Sequence, residues 1–259
     1  MTISPSPSAP DGSVSVHVTD GIATVTFHHP KGNSLPGSLL TRLAQEISAV
    51  GENSTARVII LRSEGPSPFC AGASFDELTA ISTPESGSEF FSGFSRVILA
   101  MIRAPQFVLV RVQGKAAGGA VGLVAASDYS FAVKTAPARL SELAIGIGPF
   151  VVGPCIERKI GLAAFSTMAV DADWRDAEWC ERHGLYSQLF DSVAAMDTAL
   201  ESRAQALAAS NPEAMAKLKK VFWGGTENWD QLLNERAAMS GALVLSDFTR
   251  DAIARFRAR

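Results

Sequence analysis

Apolar and polar positions in the first half of the chain form a pattern that is typical of strands separated by helices. The strand-like runs are Val14–Val18, Ile22–Phe27, Arg57–Leu61, Phe107–Val112 and Tyr129–Val133. The first two runs flank the turn residues Asp20 and Gly21, which predicts an opening hairpin. The later runs are almost continuously apolar, as parallel strands covered on both faces require. The pattern therefore predicts an α/β fold.

Helical periodicity appears between the strands and then dominates the end of the chain. From Ser88 to Arg103, apolar residues recur at every third or fourth position, and the pattern ends before Pro105. After Asp191 only helical patterns follow, over Val193–Ala209, Pro212–Phe222 and Asp230–Leu245. We therefore expect a disordered, Ser/Pro-rich tail over residues 1–13, a core over residues 14–191 and a helical C-terminal portion over residues 192–259.

Composition narrows the class of protein. With 259 residues, of which 47% are hydrophobic, the chain can bury one main core. Its net charge of -3 comes without a long run of either sign, so we expect neither nucleic acid nor a membrane surface as a partner. The sequence also lacks the roughly 20 consecutive apolar residues of a membrane span and a leader-like start. A small molecule is the expected partner.

The cysteines, histidines and short motifs argue against a disulfide-rich, a metal-binding or a dinucleotide-binding protein. The three cysteines, Cys70, Cys155 and Cys180, are too scattered for a disulfide framework, so we expect a cytoplasmic protein. The four histidines form no metal-binding pattern, and no G-x-S-x-G or H-E-x-x-H sequence is present. The glycines at positions 146 and 148 lack the third glycine of a dinucleotide fingerprint. We therefore expect no metal and no resident cofactor.

Two loops of small residues carry the most specific signal. They are PFCAGASFDEL, Pro68–Leu78, and QGKAAGGAVGLVAASD, Gln113–Asp128. Small residues let backbone N–H groups approach one point without side chains in the way, and such a point can hold an oxyanion. Both segments, and their separation, resemble the enoyl-CoA hydratase/isomerase (crotonase) family. The resemblance implies a spiral of ββα units with a helical C-terminal portion, assembled as a homotrimer or hexamer.

The resemblance also assigns roles within the two loops. Ala73 and Gly119 occupy the positions of the family's two oxyanion donors, and Gly72 lets the ligand come close. Ser74 stands where the family commonly has Asp. The alternative is a tight turn in the first loop and glycines that only permit helix packing in the second. That alternative does not explain why the two loops occur together at the family's spacing.

The acid/base residues depart from the family pattern. Hydratases of the family carry one glutamate three residues after the second oxyanion glycine, where this chain has Gly122. The segment ARLSELAIGIGPF, Ala138–Phe150, matches the region of the second glutamate and places Glu142 there. Burial beside an apolar acyl pocket should favour the neutral form of Glu142, as proton transfer near neutral pH requires. We expect an open, uncharged wall opposite it.

Three functions remain open. Two carboxylates normally position the water of a hydratase, whereas a double-bond isomerase can move one proton with a single glutamate, so the residue chemistry favours an isomerase. In contrast, the stretch Gly146–Gly161 resembles a branch that includes 3-methylglutaconyl-CoA hydratase-like sequences. We rank a hydratase first and the isomerase second. A catalytically weak acyl-CoA-binding protein is the third possibility, because fold does not fix function.

A coenzyme A site is implied by HPKGNSLPGSL, His29–Leu39, which resembles the family loop whose backbone lies along the nucleotide and pantetheine. The CoA-binding candidates are Lys31, Gly32, Asn33, Leu35, Ala71 and Gly72. Taken alone, Pro-Lys-Gly-Asn is also an ordinary turn sequence. Positive charges that could meet phosphates or a substrate carboxylate are Lys115, Arg139, Arg250 and Arg255, and each alone is typical of a solvated surface charge.

Overall fold

The computed structural model describes residues 12–257. Its strands are β1 (Ser13–Thr19), β2 (Ile22–His28), β3 (Val58–Ser63), β4 (Phe107–Val112), β5 (Ala116–Ala117), β6 (Tyr129–Val133), β7 (Ala138–Arg139) and β8 (Gln188–Phe190). Its helices are α1 (Gly37–Glu52), α2 (Phe75–Ala80), α3 (Pro84–Arg103), α4 (Gly119–Ala125), α5 (Gly153–Asp171), α6 (Ala177–Arg182), α7 (Val193–Ala208), α8 (Pro212–Phe222), α9 (Trp229–Leu243) and α10 (Asp247–Arg257), with a 3₁₀ turn over Leu143–Ile145. The predicted α/β class is confirmed.

One six-stranded sheet organises the core. Its order is β1-β2-β3-β4-β6-β8, in which β1 and β2 are antiparallel and all later pairs are parallel. The predicted hairpin turn is present, with positive φ at both Asp20 and Gly21. Every residue of β4 is buried, because helices cover both faces of the central strands. Among these helices, α7 contacts all of the strands from β2 to β8 in the main sheet.

A second, smaller layer of backbone pairing lies beside the main sheet. Strands β5 and β7 run parallel, and isolated bridges join Cys70 to Ala116 and Ala138 to Arg175. A further bridge joins Leu35 to Ala73. Segments that are far apart in the chain are therefore held side by side here. Both small-residue loops belong to this layer, so its hydrogen bonds fix the distance between them.

The C-terminal helices fold back onto the core of the same chain. Helices α3 and α9 cross closely, and a Cβ on Gly87 would lie 2.7 Å from the Cα of Gly241. Helix α10 then packs against the 3₁₀ turn, where the Thr249 hydroxyl donates a hydrogen bond to the Gly146 carbonyl, 3.1 Å away. Within the described residues, no helix combines the length and the apolar character needed to cross a membrane.

Most predicted elements lie close to their observed positions. The predicted bounds of β4, β6 and α8 are the observed ones, whereas α3 begins at Pro84 rather than Ser88. Its first turn is polar and is stabilised by a capping box, in which the Thr83 hydroxyl accepts from the Ser86 N–H at 3.2 Å. Ser13, placed in the predicted tail, is the first residue of β1, and residues 1–11 lie outside the described part of the chain.

Candidate active site

A cavity of about 630 Å³ lies where the small-residue loops, α3, the segment after β7 and the C-terminal helices meet. Its polar side chains are Lys31, Ser34, Ser74, Asp76, Arg139, Ser141, Glu142, Ser240 and Arg255, and the ring of Trp174 also lines it. Its apolar lining includes Leu78, Phe90, Phe91, Phe94, Ile145, Ile147, Val152 and Ala252. Both predicted oxyanion donors, Ala73 and Gly119, also line it. The structure therefore brings the candidate catalytic residues into one cavity.

The two loops are locked together by backbone hydrogen bonds. The Cys70 N–H donates to the Lys115 carbonyl at 3.2 Å, and the Ala117 N–H donates back to the Cys70 carbonyl at 3.1 Å. Gly72 has φ +95°, and a Cβ there would lie 2.9 Å from the Ala117 oxygen. Only glycine permits both this backbone conformation and this close approach.

Two residues that line the cavity have backbone N–H groups without an acceptor in the described part of the chain. Among residues 12–257, no hydrogen-bond acceptor receives the N–H of Ala73 or of Gly119. Gly119 opens α4, so its N–H has no partner within the helix, and it lies at the positive end of the helix dipole. A Cβ on Gly72 would lie 3.9 Å from the Gly119 nitrogen, which shows how close the two loops are. The arrangement can hold an oxygen that gains negative charge.

Glu142 lies directly beside the second donor. Its Oε1 would be 3.3 Å from a Cβ on Gly118, the residue that precedes Gly119. Its Oε2 is buried and has no hydrogen-bond partner among the described residues. Burial raises the pKa of Glu142 from its usual 4.5 to about 7, against smaller lowering effects from nearby backbone N–H groups and the positive charge of Arg139. Glu142 can therefore accept and return a proton near neutral pH.

The position of the missing glutamate is filled by an aliphatic side chain. Gly122 is buried, and a Cβ there would lie 2.5 Å from Val152 Cγ1. Val152 lines the cavity, whereas Gly122 lies behind it. The wall is uncharged at this point, but the expectation that it is open was wrong, because Val152 packs into the space that a longer side chain at position 122 would need.

The predicted CoA residues separate into two groups. Lys31, Ala71 and Gly72 line the cavity, and Lys31 forms an ion pair with Asp76. The others, Gly32, Asn33 and Leu35, do not line it. The Asn33 amide holds the loop by donating to the carbonyls of Glu64 and Pro68 at 2.9 and 3.0 Å, and Leu35 is fully buried in the core.

Sequence reasoning missed one polar pair on this side of the cavity. Ser34 Oγ lies 3.0 Å from His29 Nδ1, which also accepts the Lys31 N–H at 3.3 Å. Because Nδ1 already accepts a hydrogen bond from the backbone, it carries a lone pair, and the Ser34 hydroxyl donates to it. His29 precedes the Pro-Lys-Gly-Asn turn and Ser34 follows it, and nothing in that turn sequence indicates that their side chains meet.

The four positively charged candidates also divide into residues that line the cavity and residues that do not. Arg139 and Arg255 line the cavity, whereas Lys115 and Arg250 are exposed residues outside the lining.

Among residues 12–257, no group of three or more His, Cys, Asp or Glu side chains is arranged to hold a metal ion. The cysteines Cys70, Cys155 and Cys180 are all free and buried.

Comparisons with known sequences agree with this arrangement. The profile of a family described as Enoyl-CoA hydratase/isomerase matches residues 17–252. Methylglutaconyl-CoA hydratase, mitochondrial, of Rattus norvegicus is 29% identical over 212 residues, which are 80% of this chain and 67% of that protein. This chain spans 62% of the Homo sapiens protein of the same name. The 1,2-epoxyphenylacetyl-CoA isomerase of Escherichia coli is 26% identical over 188 residues, 71% of each chain.

The fold also has a near match among solved structures. The crystal structure of enoyl-CoA hydratase from Bacillus halodurans has a TM-score of 0.87 to this chain at 20% identity, with 93% of this chain and 99% of that chain covered. This likeness confirms the predicted fold. The family profile spans both loops, Glu142 and most of the described chain. This chain is therefore an enzyme that belongs to the enoyl-CoA hydratase/isomerase family.

Proposed function

We propose that the cavity binds an acyl-CoA thioester and stabilises its enolate between the N–H groups of Ala73 and Gly119. Two unpaired backbone donors and a buried carboxyl group with a pKa of about 7 share one cavity, and this observation supports the proposal most strongly. The donors bind the thioester oxygen as it gains charge, and Glu142 transfers the proton. The reaction needs no resident cofactor, because coenzyme A enters as part of the substrate.

The lining suggests how the thioester lies in the cavity. Lys31, Ala71 and Gly72 form one rim, and we place the CoA portion there. Aromatic side chains of α3 and the residues Ile147 and Val152 form the apolar part, where the acyl chain would bind. The thioester oxygen then lies between the rim and the apolar part, about 3 Å from both N–H groups.

Hydration of a 2-enoyl-CoA is the reaction we rank first. In this step the Glu142 carboxylate takes a proton from water while the water oxygen bonds to Cβ. The resulting enolate is held by Ala73 and Gly119, and Glu142 returns the proton to Cα. A serine hydroxyl of the cavity would replace the second carboxylate in orienting the water. The relatives named methylglutaconyl-CoA hydratase favour a branched or 3-methylglutaconyl-type acyl group.

A Δ3,Δ2-isomerase is the second candidate, and the structure favours it in one respect. Val152 fills the position of the first glutamate, so no second carboxylate orients a water there. Glu142 alone would then move a proton between Cα and Cγ, while the enolate stays between the same two donors. The relative named 1,2-epoxyphenylacetyl-CoA isomerase also favours this candidate. A weak acyl-CoA-binding protein is the remaining alternative.

Isotope incorporation separates the candidates. A hydratase incubated with a 2-enoyl-CoA in H₂¹⁸O should place the label on the β-hydroxyl of its product. An isomerase should convert a 3-enoyl-CoA into the 2-enoyl isomer without incorporating oxygen. If a broad panel of enoyl-CoA thioesters binds but gives neither product, the binding-protein alternative is supported and both enzymatic candidates are excluded.

We further propose that the protein acts in the cytoplasm as a homotrimer or hexamer. Three free, buried cysteines suit a reducing compartment. Apolar side chains that are exposed on the single chain, including Leu162 and Val170 on α5, suit an interface between copies. Light scattering coupled to gel filtration measures the assembly directly, and a monomeric mass would contradict this part of the proposal.

A further inference from the structure

Beside the wall that carries Glu142, two positive charges flank one tryptophan. Lys115 Nζ lies 5.5 Å from the centre of the Trp174 ring, and Arg139 Cζ lies 6.0 Å from it. Arg139 and Trp174 line the cavity, and Trp174 is 42% exposed although it is large and apolar. An exposed aromatic ring flanked by two cations is an unusual feature for the wall of a cavity.

Neither cation is neutralised within the described chain. Residues 12–257 place no carboxylate within 4.0 Å of the Lys115 ammonium or the Arg139 guanidinium, whereas Lys31 at the other rim pairs with Asp76. The positive charge of Arg139 acts on Glu142, whose burial raises its pKa to about 7, so that this carboxyl group is partly neutral near pH 7. Two like charges beside one ring repel each other, and an anion bound between them would remove that repulsion.

The backbone holds this group in a fixed geometry. Arg139 Nε donates to the Ala172 carbonyl, so the guanidinium is anchored at one edge. Its two terminal nitrogens have no acceptor among the described residues. Trp174 precedes Arg175, whose N–H donates to the Ala138 carbonyl at 2.8 Å and whose carbonyl accepts from the Ala138 N–H at 2.9 Å. A guanidinium fixed in this way is well suited to a carboxylate or a phosphate.

We propose that Arg139, Lys115 and Trp174 form a subsite for an anionic group of the bound thioester, either a carboxylate at the end of the acyl group or a phosphate of coenzyme A. The subsite rests on the proposed acyl-CoA function. Its position favours the carboxylate. In the small layer of paired segments, β5 separates β7, which carries Arg139, from the loop of Ala71 and Gly72 where we place CoA.

The test measures binding rather than turnover, with three unreactive ligands. One is a saturated acyl-CoA whose chain ends in a carboxylate, the second is its methyl-ended counterpart, and the third is the carboxylate-ended chain on pantetheine, which lacks the nucleotide phosphates. Calorimetry gives Kd for the natural protein and for Arg139→Gln, Lys115→Gln and Lys134→Gln. Lys134 is an exposed lysine outside the cavity, paired with Asp191, and serves as the matched control.

If the anion is the acyl carboxylate, Arg139→Gln should raise Kd for both carboxylate-ended ligands, at least about tenfold more than it raises Kd for the methyl-ended one. Lys115→Gln should show the same selectivity to a smaller degree, because the lysine is more exposed. If the anion is a phosphate, the substitution should raise Kd equally for both CoA ligands and leave Kd for the pantetheine ligand unchanged. Either pattern supports the subsite and identifies its source.

The subsite proposal would be overturned if Lys115→Gln and Arg139→Gln bound each of the three ligands with the same Kd as the Lys134→Gln control. Lys115 is exposed, so Lys115→Gln keeps the test valid even if Arg139→Gln folds poorly. A failure of the proposed function would look different, because the natural protein would then bind none of the three ligands. The subsite can therefore fail while acyl-CoA binding stands.

Discussion

The two sides of the cavity achieve their chemistry by different means. On the donor side, the N–H groups of Ala73 and Gly119 are positioned by backbone hydrogen bonds and by Gly72, where a side chain would clash with the neighbouring backbone. On the proton-transfer side, one carboxyl group depends on its surroundings, because burial outweighs the lowering effects of backbone N–H groups and Arg139 and brings the pKa of Glu142 to about 7. The first side tolerates little change in backbone geometry, whereas the second can be adjusted by single side chains.

This difference bears on which reaction the chain catalyses. In the proposed function, the donor side would serve any reaction that passes through a thioester enolate, since it would contact only the thioester oxygen. In the proposed function, the choice between hydration and isomerisation lies on the other side, where Val152 lines the cavity at the position of a second carboxylate. The proposal thus assigns the step that both reactions share and the step that distinguishes them to different walls of the same cavity.

The largest effect is expected from Glu142→Gln, which removes the proton acceptor and keeps the side-chain volume. Turnover should fall at least about a hundredfold, while the Kd for an unreactive acyl-CoA stays within about twofold. Steady-state kinetics and calorimetry measure the two quantities. Glu89→Gln, a surface change on α3 that removes an ion pair with Arg96, is the control and should leave both unchanged. Near-normal turnover in Glu142→Gln would show that another group carries the proton.

The second test concerns the filled glutamate position. Gly122→Ala places a Cβ 2.5 Å from Val152 Cγ1 in a buried site, so it should lower the free energy of unfolding by about 1–3 kcal/mol. The double variant Gly122→Ala, Val152→Ala should be less destabilised than the sum of the single changes, because the smaller side chain removes the clash. Urea denaturation measures all three variants. Additive effects would mean that the two residues do not compete for the same space.

A substitution at Gly72 tests the donor side, with a smaller expected effect on activity than Glu142→Gln. Gly72→Ala should lower kcat/KM at least about tenfold, because its Cβ would press on the Ala117 oxygen and move the two N–H groups apart. Gly65→Ala is a matched control, since Gly65 has a similar φ of +83° but no atom within 4 Å of the added Cβ. Both should lose about 1 kcal/mol of stability from the left-handed conformation. If Gly65→Ala lost as much activity as Gly72→Ala, backbone strain rather than loop spacing would explain the effect.

Much of this organisation could be predicted from the sequence, and the exceptions share a cause. The central strands are buried on both faces, so their apolar runs stand out, and β4 has the predicted bounds. The donors and Glu142 lie in contiguous motifs, which a family resemblance can locate. Val152 opposite Gly122 and Ser34 beside His29 depend on how side chains pack in three dimensions, which no local pattern encodes. Helix α10 was missed because its sequence is largely polar, although Ala252 and Ile253 are buried.

The smallest expected effect, a shift in pH dependence, connects the positive charge of Arg139 to Glu142 on the proton-transfer side. If the Glu142 carboxylate is the base, kcat/KM should rise with pH and reach half its maximum near the pKa of about 7. The positive charge of Arg139 lowers that pKa, so Arg139→Gln should raise it and move the rising limb to higher pH. Arg139→Lys keeps the charge and should leave the limb close to its original position. Rate profiles between pH 5.5 and about 8.5, measured with a methyl-ended substrate to avoid the proposed anion subsite, separate these outcomes. A shift to lower pH in Arg139→Gln would contradict the electrostatic argument, because losing a nearby positive charge can only disfavour the carboxylate.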